Sequence, residues 1–334
     1  MPRLTDALPL TDNRRRNMKF RLAISALALA ATSPAFALNI VLANDDGLTS
    51  NLKALYDALK TAGHDVVVSV PCSGQSGRGA GIVMYSTSTI VADNDSTQIN
   101  AEGGCHNGAA AIGAPAAGPF TKAGYTNGDF HYVHGTPVMA TLYGLDVLAS
   151  GRWGKAPDVV LSGPNEGQNL GAIINASGTV GNAQMAGSRG IPAIALSADA
   201  DTTDNTSLAN PKSAIVAALT VKLLDALKAK AGNGPLLPAN VALNVNFPKE
   251  ITTSSPFAFS RIGTYNAYTL TFKNSVPYGL GIAMNASPAT ATQAEDESIV
   301  YRTQVAVSAM QMGFEQRPAG QEWLRLRLRD LLAR

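Results

Sequence analysis

The sequence is poor in charge and in cysteine. Charged residues make up only 15% of the 334 positions and the formal net charge is +2, which excludes a protein that works by binding nucleic acid duplexes or other polyanions. Its two cysteines form no CxxC pair and are too few for a structural zinc site. The hydrophobic fraction of 46% lies in the globular range and excludes a disordered chain.

Motifs of several common protein classes are missing from the sequence. The absence of GxxxxGK followed by Ser or Thr excludes a P-loop ATPase, and the absence of a repeat of about 20–50 residues excludes a solenoid. The run GRGAG at 77–81 departs from the dinucleotide-binding GxGxxG, and GQSGR at 74–78 lacks the last glycine of a nucleophile elbow. His131 and His134 lie in an extended segment, which gives poor zinc geometry.

The first 37 residues have the three parts of a secretory signal. A basic stretch at 18–21 precedes an apolar run at 22–31, and AFA at 35–37 has the spacing of a signal-peptidase site. Because the apolar run is about half of the ~20 residues that span a bilayer, a removable signal is favoured over a membrane anchor. We expect cleavage after Ala37 and a periplasmic or secreted protein. No later stretch is apolar enough for stable membrane insertion.

Removal of this leader would change the charge and the redox environment of the chain. Met18 opens the basic stretch and is a better start than Met1. The leader holds six of the 26 basic and two of the 24 acidic residues, so the chain after Ala37 has a formal charge of −2. Export implies an oxidising compartment. We therefore expect a disulfide between Cys72 and Cys105, with two buried free thiols as the alternative.

Beyond the leader, buried strands alternate with helices, which predicts an α/β core with a parallel sheet over 38–250. After residue 250, strand-like alternation and a basic amphipathic helix over 324–332 predict an antiparallel extension over 251–334. Residues 101–129 are rich in Gly and Ala and are predicted to be an inserted loop. Strands are predicted over 38–43, 66–70, 157–163, 191–197 and 241–247, and helices around 52–59, 138–148, 177–190 and 213–229.

Polar turns follow two of the predicted strands. Asp45 and Asp46 end the first strand, and two adjacent carboxylates repel each other unless a cation neutralises them. Asn165 follows the strand at 157–163 and offers a neutral oxygen to a hard cation such as Mg²⁺, Mn²⁺ or Ca²⁺. Ligands gather at the carboxyl ends of parallel strands. Taken singly, each turn is also compatible with a solvated acidic pair or an Asx turn.

The tripeptide Ser177-Gly178-Thr179 opens a predicted helix. Free N–H groups and the positive end of a helix dipole suit a phosphate, although a serine at this position is also an ordinary N-cap. Ser76 lies in the loop after the second strand, and nothing local argues for it as a metal ligand.

Taken together, these segments resemble the SurE family of survival-protein-E nucleotidases and acid phosphatases. The NDDG and SGxNxGxNxG motifs are specific as a pair. The matching segments occur in the family's order: NDDG at 44–47, the loop at 71–77, GTP at 135–137, SGPNEGQNLG at 162–171, SGT at 177–179 and LNVNFP at 243–248.

The resemblance implies a three-layer, Rossmann-like fold and a divalent-metal phosphomonoesterase. It implies one cation, Mg²⁺ or Mn²⁺, bound by Asp45, Asp46, Ser76 and Asn165. It also implies assembly as a homodimer or homotetramer through C-terminal arms. The substrate would be a nucleoside 5′- or 3′-monophosphate or another small phosphomonoester.

The roles within that site are hypotheses. Asp45 and Asp46 would carry the chemistry, Asn44 would orient them or contact phosphate, and the N–H groups over 177–179 would hold the phosphate. The alternatives are a non-catalytic periplasmic protein that binds a phosphate ligand, and a serine esterase that uses Ser76. Met139 and Gln75 replace the Asp and the Arg common in the family, and with the 101–129 insertion they bear on substrate preference and oligomeric state.

Overall fold

The computed structural model describes residues 37–83, 89–90, 104–204, 206–273, 279–314, 318–329 and 331. The predicted leader lies outside the described residues except for Ala37, so the signal and its cleavage stay predictions. From Ala37 onward the chain forms one compact unit. No helix within the described ranges combines the length and apolar character needed to cross a membrane.

A mixed, mostly parallel sheet forms the centre of this unit. In the part of the chain that the structure describes it has nine strands, in the order β3-β4-β2-β1-β5-β6-β7-β11-β8. Strands β3 and β11 are antiparallel to β4 and β7, respectively, and the other neighbours are parallel. The strands are β1 Asn39–Ala43, β2 Asp65–Pro71, β3 Ala117–Pro119, β4 Phe130–Val133, β5 Val159–Glu166, β6 Ala193–Ala198, β7 Val241–Asn246, β8 Phe257–Ser260 and β11 Val305–Gln311.

Helices cover both faces of the sheet. Ile40 and Leu42 of β1 pack in one cluster with α1 and α5, whereas Val41 packs in a second cluster with α4. This alternation follows from the period of two in a strand, and it confirms the predicted α/β fold. The helices are α1 Ser50–Thr61, α2 Pro137–Tyr143, α3 Ser150–Trp153, α4 Gly178–Ser188, α5 Pro211–Ala231, α6 Glu297–Val300 and α7 Pro318–Arg327, with a π-helix Gly144–Ala149 between α2 and α3.

The C-terminal segment contributes to two sheets. An antiparallel hairpin of β9 Tyr268–Lys273 and β10 Gly279–Met284 forms the separate sheet that the alternating pattern predicted. Strands β8 and β11 instead join the main sheet beside β7. Val305 and Ala306 are fully buried, because β11 lies between two other strands.

Cys72 and Cys105 form a disulfide in the structure, at a sequence separation of 33. The bond connects the end of β2 to the 104–129 segment, which contains β3 and a 3-10 turn, His106–Gly108. His106 is thereby held next to the turn that follows β1.

Removing this disulfide should destabilise the protein. For a loop of 33 residues, the chain-entropy relation gives a loss of about 3–4 kcal/mol in the free energy of unfolding. Urea unfolding of a Cys72→Ala/Cys105→Ala variant checks this value. Thiol titration of the denatured, unreduced wild type should detect no free thiol, and two free thiols would disprove the bond.

Candidate active site

The turn after β1 is closed by the side chain of Asn44. Its Nδ2 donates to the carbonyl of Gly47 at 2.7 Å, and its Oδ1 accepts from the Gly47 N–H at 3.0 Å. Gly47 has φ +82°, and a Cβ there would lie 3.0 Å from the carbonyl oxygen of Pro71. Because both ends of the amide are used within the turn, the bonding favours the orienting role of Asn44 over direct phosphate contact.

Asp45 lies against the N-terminus of α4. Its Oδ1 accepts a hydrogen bond from the Thr179 hydroxyl at 2.6 Å, and the N–H groups of Gly178 and Thr179 also donate to this carboxylate. Burial raises the pKa of Asp45, and these donors oppose the rise. The structure thus places a carboxylate where a phosphate was expected, so a phosphate bound there must share these N–H groups or displace Asp45.

Ser177 caps the same helix, because its hydroxyl accepts from the Val180 N–H at 3.1 Å. Its predicted N-cap role is present, and its N–H group is bonded to the carbonyl of Ile174. What remains for an anion is the positive end of the α4 dipole, which favours negative charge near the first turn.

Asp46 is 7% exposed, and its Oδ2 is buried without a hydrogen-bond partner in the part of the chain that the structure describes. The N–H of Glu166 donates to its carboxylate. Burial, followed by the charges of Asp45 and Glu166, raises the pKa of Asp46 well above its ordinary value. Burial also raises the pKa of Glu166, against a hydrogen bond from the Thr203 side chain. The turn therefore brings carboxyl groups together without enough positive charge or hydrogen-bond donors from the described residues to balance them.

Asn165 lies next to Glu166 at the end of β5, where the β5–β6 register shifts. Its Nδ2 donates to the carbonyl of Gly167 at 2.7 Å, so Oδ1 is the oxygen left for a cation. Because the Glu166 N–H reaches Asp46, the amide turn and the acidic turn meet at one edge of the sheet.

The motif from 162 to 171 is held in place by β6 and β7. The carbonyl of Asn169 accepts from Asn244 and Asn246, each at 2.9 Å, and its Nδ2 donates to Ser197 at 2.9 Å. Asn244 and Asn246 of the LNVNFP segment therefore hold the 162–171 motif in position by hydrogen bonds, which explains why the two segments occur together in the sequence pattern.

The loop that carries Ser76 crosses between β1 and α4. The N–H of Gln75 donates to the carbonyl of Asp45 at 2.7 Å, and the N–H of Gly79 donates to that of Ala176 at 3.0 Å. Ser76 lies exposed between these two anchor points. Its neighbours thus fix it beside the acidic turn, as the metal-ligand hypothesis requires.

Comparisons with known proteins show which family this chain belongs to. The family model of survival protein SurE matches residues 40–268. This chain belongs to the SurE family. An acid phosphatase of Yarrowia lipolytica is 35% identical over 63% of this chain and 56% of the relative. A 5′-nucleotidase SurE of Methanocella arvoryzae is 28% identical over 72% of this chain and 78% of the relative.

This SurE-family chain also matches a third relative and a solved structure. A 5′/3′-nucleotidase SurE of Proteus mirabilis is 32% identical over 48% of this chain and 57% of the relative. The match therefore covers little more than half the length of the Yarrowia lipolytica and Proteus mirabilis relatives. The crystal structure of the SurE protein from Aquifex aeolicus superimposes with a TM-score of 0.60 at 23% identity, over 86% of this chain and 99% of that one. It has the same fold.

The donor set of this SurE-family chain fits a hard divalent cation. Asp46 offers a buried oxygen that no protein donor satisfies, and amide and carboxylate oxygens are ligands that Mg²⁺ and Mn²⁺ accept. The described residues contain no group of three or more His, Cys, Asp or Glu able to bind a metal ion. A cation bound here would have to take neutral oxygens, such as those of Asn165 and Ser76, beside the two aspartates.

Two residues at the site have no clear sequence signal. Glu166 occupies a variable position of SGxNxGxNxG, and only its place beside Asn165 pointed to the site. His106 lies in the segment 101–129 that was predicted to be an inserted loop, yet its Nδ1 lies 2.8 Å from the carbonyl oxygen of Asp46. A 60-residue separation bridged by the disulfide explains why no local pattern showed this contact.

Glu297 supports the motif from the C-terminal segment. Fully buried, it accepts from the Gly171 N–H at 2.8 Å and from Asn244 Nδ2 at 2.9 Å. Burial raises the pKa of Glu297 to about 7, against the hydrogen bonds from Gly171, Ser308 and Asn244. The folded protein thus retains a proton that the unfolded chain releases near its ordinary pKa of 4.5.

This shift predicts a pH-dependent stability. The contribution of Glu297 is fully present below pH 4.5 and is lost as the pH rises to about 7, a fall on the order of 3 kcal/mol. Urea unfolding at pH 5 and pH 8 measures the fall. Glu297→Gln should flatten it, whereas Glu250→Gln on the surface should not. Equal slopes in the wild type and both variants would contradict the assignment.

Proposed function

We propose that this SurE-family protein is a divalent-cation-dependent phosphomonoesterase that hydrolyses nucleoside 5′- or 3′-monophosphates to nucleoside and phosphate. The observation that carries the proposal is the buried, unpartnered Oδ2 of Asp46 beside Asp45 and the Asn165 turn. The names of the relatives, 5′-nucleotidase, 5′/3′-nucleotidase and acid phosphatase, support the same reaction class.

Asp45, Asp46, Asn165 and Ser76 would hold one Mg²⁺ or Mn²⁺. When bound, such an ion supplies Lewis-acid polarisation of the phosphoryl group and lowers the pKa of a bound water. Asn44 keeps the two aspartates in place by closing their turn. Thr179 fixes one oxygen of Asp45, so that the remaining oxygen atoms of the pair can face the ion or accept a proton.

The first turn of α4 stabilises negative charge at the reacting end of the substrate. The Gly178 and Thr179 N–H groups donate to the Asp45 carboxylate, and a phosphate that shares or takes over these donors would gain fixed dipoles that need no reorganisation during the reaction. Gly178 and Thr179 thus keep their proposed phosphate-binding role, with Asp45 as a competitor for the same donors, whereas Ser177 contributes as the N-cap of α4.

The test of the proposal is a turnover assay with the purified protein. Adenosine 5′-monophosphate, adenosine 3′-monophosphate and p-nitrophenyl phosphate are incubated with Mg²⁺, Mn²⁺ or EDTA, and released phosphate is measured. We expect release with either cation and none with EDTA. Binding of nucleotide without turnover would favour a periplasmic binding protein. EDTA-insensitive cleavage of a carboxylic ester would favour a serine esterase that uses Ser76.

The proposed function includes export and assembly. A periplasmic or secreted location would follow from the predicted leader, and N-terminal sequencing of the exported protein tests cleavage after Ala37.

We also propose a homodimer or homotetramer. The hairpin exposes Phe272, Ile282 and Met284 by 70%, 60% and 62%, respectively, an unusual apolar surface for a monomer. Light scattering gives the mass, and a monomeric mass would refute this part.

A further inference from the structure

Glu166 is the last residue of β5 and lies at a variable position of the SGxNxGxNxG motif. It pairs with Ala198 of β6, and its own N–H donates to the carboxylate of Asp46. Its side chain is held by a hydrogen bond with Thr203, which follows β6. Two strands and a turn therefore fix this acidic side chain close to Asp46.

Two carboxylate oxygens at this place have no hydrogen-bond partner among the described residues. They are Oδ2 of Asp46 and Oε1 of Glu166, which are both buried, and Asp46 as a residue is only 7% exposed. Buried charges are normally paired or bound to metal ions, because desolvation costs several kcal/mol per ion. Two unsatisfied acceptors on residues whose charges interact therefore indicate a missing positive or hydrogen-donating group.

The protein itself does not supply that group from the part of the chain that the structure describes. The ion pairs formed there use other carboxylates and include none of Asp45, Asp46 and Glu166. A hydrated divalent cation would satisfy both oxygens, one by direct contact and one through a water that the cation binds.

We propose that Glu166 is a positioning residue of the cation site, an inference that rests on the proposed function. It accepts a hydrogen bond from cation-bound water and increases cation affinity without being a direct ligand. Mg²⁺ and Mn²⁺ sites keep bound waters, and carboxylates outside the ligand shell orient them.

The test is Glu166→Gln in the full chain, with Mn²⁺ as the probe. Isothermal titration of the chelator-treated protein should show a Mn²⁺ Kd about 10- to 100-fold weaker than that of the wild type, the range found for groups that act through a ligand. Loss of one of three clustered negative charges should also raise the melting temperature of the cation-free protein. The increase in melting temperature on adding Mn²⁺ should become smaller.

Controls separate this role from a structural one. Glu250→Gln removes an exposed charge and should leave both measurements unchanged. Thr203→Val removes the hydroxyl that holds Glu166 and should weaken Mn²⁺ binding in the same direction, which keeps the inference testable if Glu166→Gln does not fold. A Mn²⁺ Kd within twofold of the wild type would overturn the inference, as would an equal fall in melting temperature with and without Mn²⁺.

Failure of this inference and failure of the proposed function give different results. If the wild type hydrolyses nucleotides with Mn²⁺ and Glu166→Gln binds Mn²⁺ equally well, only the role of Glu166 is wrong. If the wild type neither binds Mn²⁺ nor releases phosphate, the proposed function itself is wrong.

Discussion

Asp46→Asn should reduce cation-dependent phosphatase activity by at least about 10²–10³-fold, the range for removal of one preorganised charge-stabilising group, while the protein stays folded. Asparagine keeps the shape of the side chain but removes the negative charge that a cation needs. Activity is measured as phosphate release at saturating Mn²⁺, and folding by circular dichroism and thermal unfolding.

The same substitution should stabilise the cation-free protein. Burial and two neighbouring charges raise the pKa of Asp46 above its ordinary 3.8 in the folded state. Stability from this group is therefore present below pH 3.8 and is lost as the pH rises through the folded value. Above pH 3.8 the burial of this ionisable group therefore costs free energy, and Asp46→Asn removes that cost.

Asp57→Asn is a suitable control, because Asp57 is an exposed partner of Lys53 on α1. Its loss should change neither activity nor, by more than about 0.5 kcal/mol, stability. Near-full activity of Asp46→Asn at saturating Mn²⁺ would refute the proposed role of this aspartate.

Gly178→Ala should damage both the site and the fold. A Cβ at this position would lie 2.7 Å from Cβ of Asp45 and 2.8 Å from Cγ of Pro137. Because all of these groups are buried, either α4 or the turn after β1 must move. Overpacking of this kind costs about 1–3 kcal/mol, and a shift of about 1 Å at catalytic groups can cost ~10²-fold in rate.

We therefore expect kcat/KM to fall about 100-fold and the free energy of unfolding to fall in urea titrations. Gly151→Ala is the matched control: it lies in α3, and a Cβ there meets no atom within 4 Å. That change should be neutral or slightly stabilising, since alanine favours helix over glycine. Wild-type activity and stability in Gly178→Ala would show that the close approach is not needed.

The α/β core could be predicted because its strands are continuous apolar runs separated by helical spacing. β4 was not predicted as a strand, since Phe130–Val133 contains His131 and is too short for a period to show. The placement of β8 and β11 in the main sheet was also missed. The alternation of a strand identifies its faces but not its neighbours, which depend on contacts distant in sequence.

The site could be predicted in part for the same reason. The positions of Asp45, Asp46 and Asn165 follow from strand ends, and the structure brings them to one edge. The occupation of the α4 tip by Asp45 could not be predicted, because the bond between Thr179 and Asp45 spans 134 residues. The place of Glu166 in the candidate site was not predicted. Its burial depends on β6 and Thr203, and the sequence around β5 carries no information about those contacts.

The hydrogen bonds of Glu297 connect the segment after residue 250 to the candidate site. A protein cut at the predicted boundary of residue 250 would lose both the acceptor for the Gly171 N–H and β11, the neighbour of β7. An unpaired strand edge invites aggregation. The portion before residue 250 should therefore fold poorly by itself, and mutations beyond residue 250 should impair the proposed activity although they lie outside the candidate site.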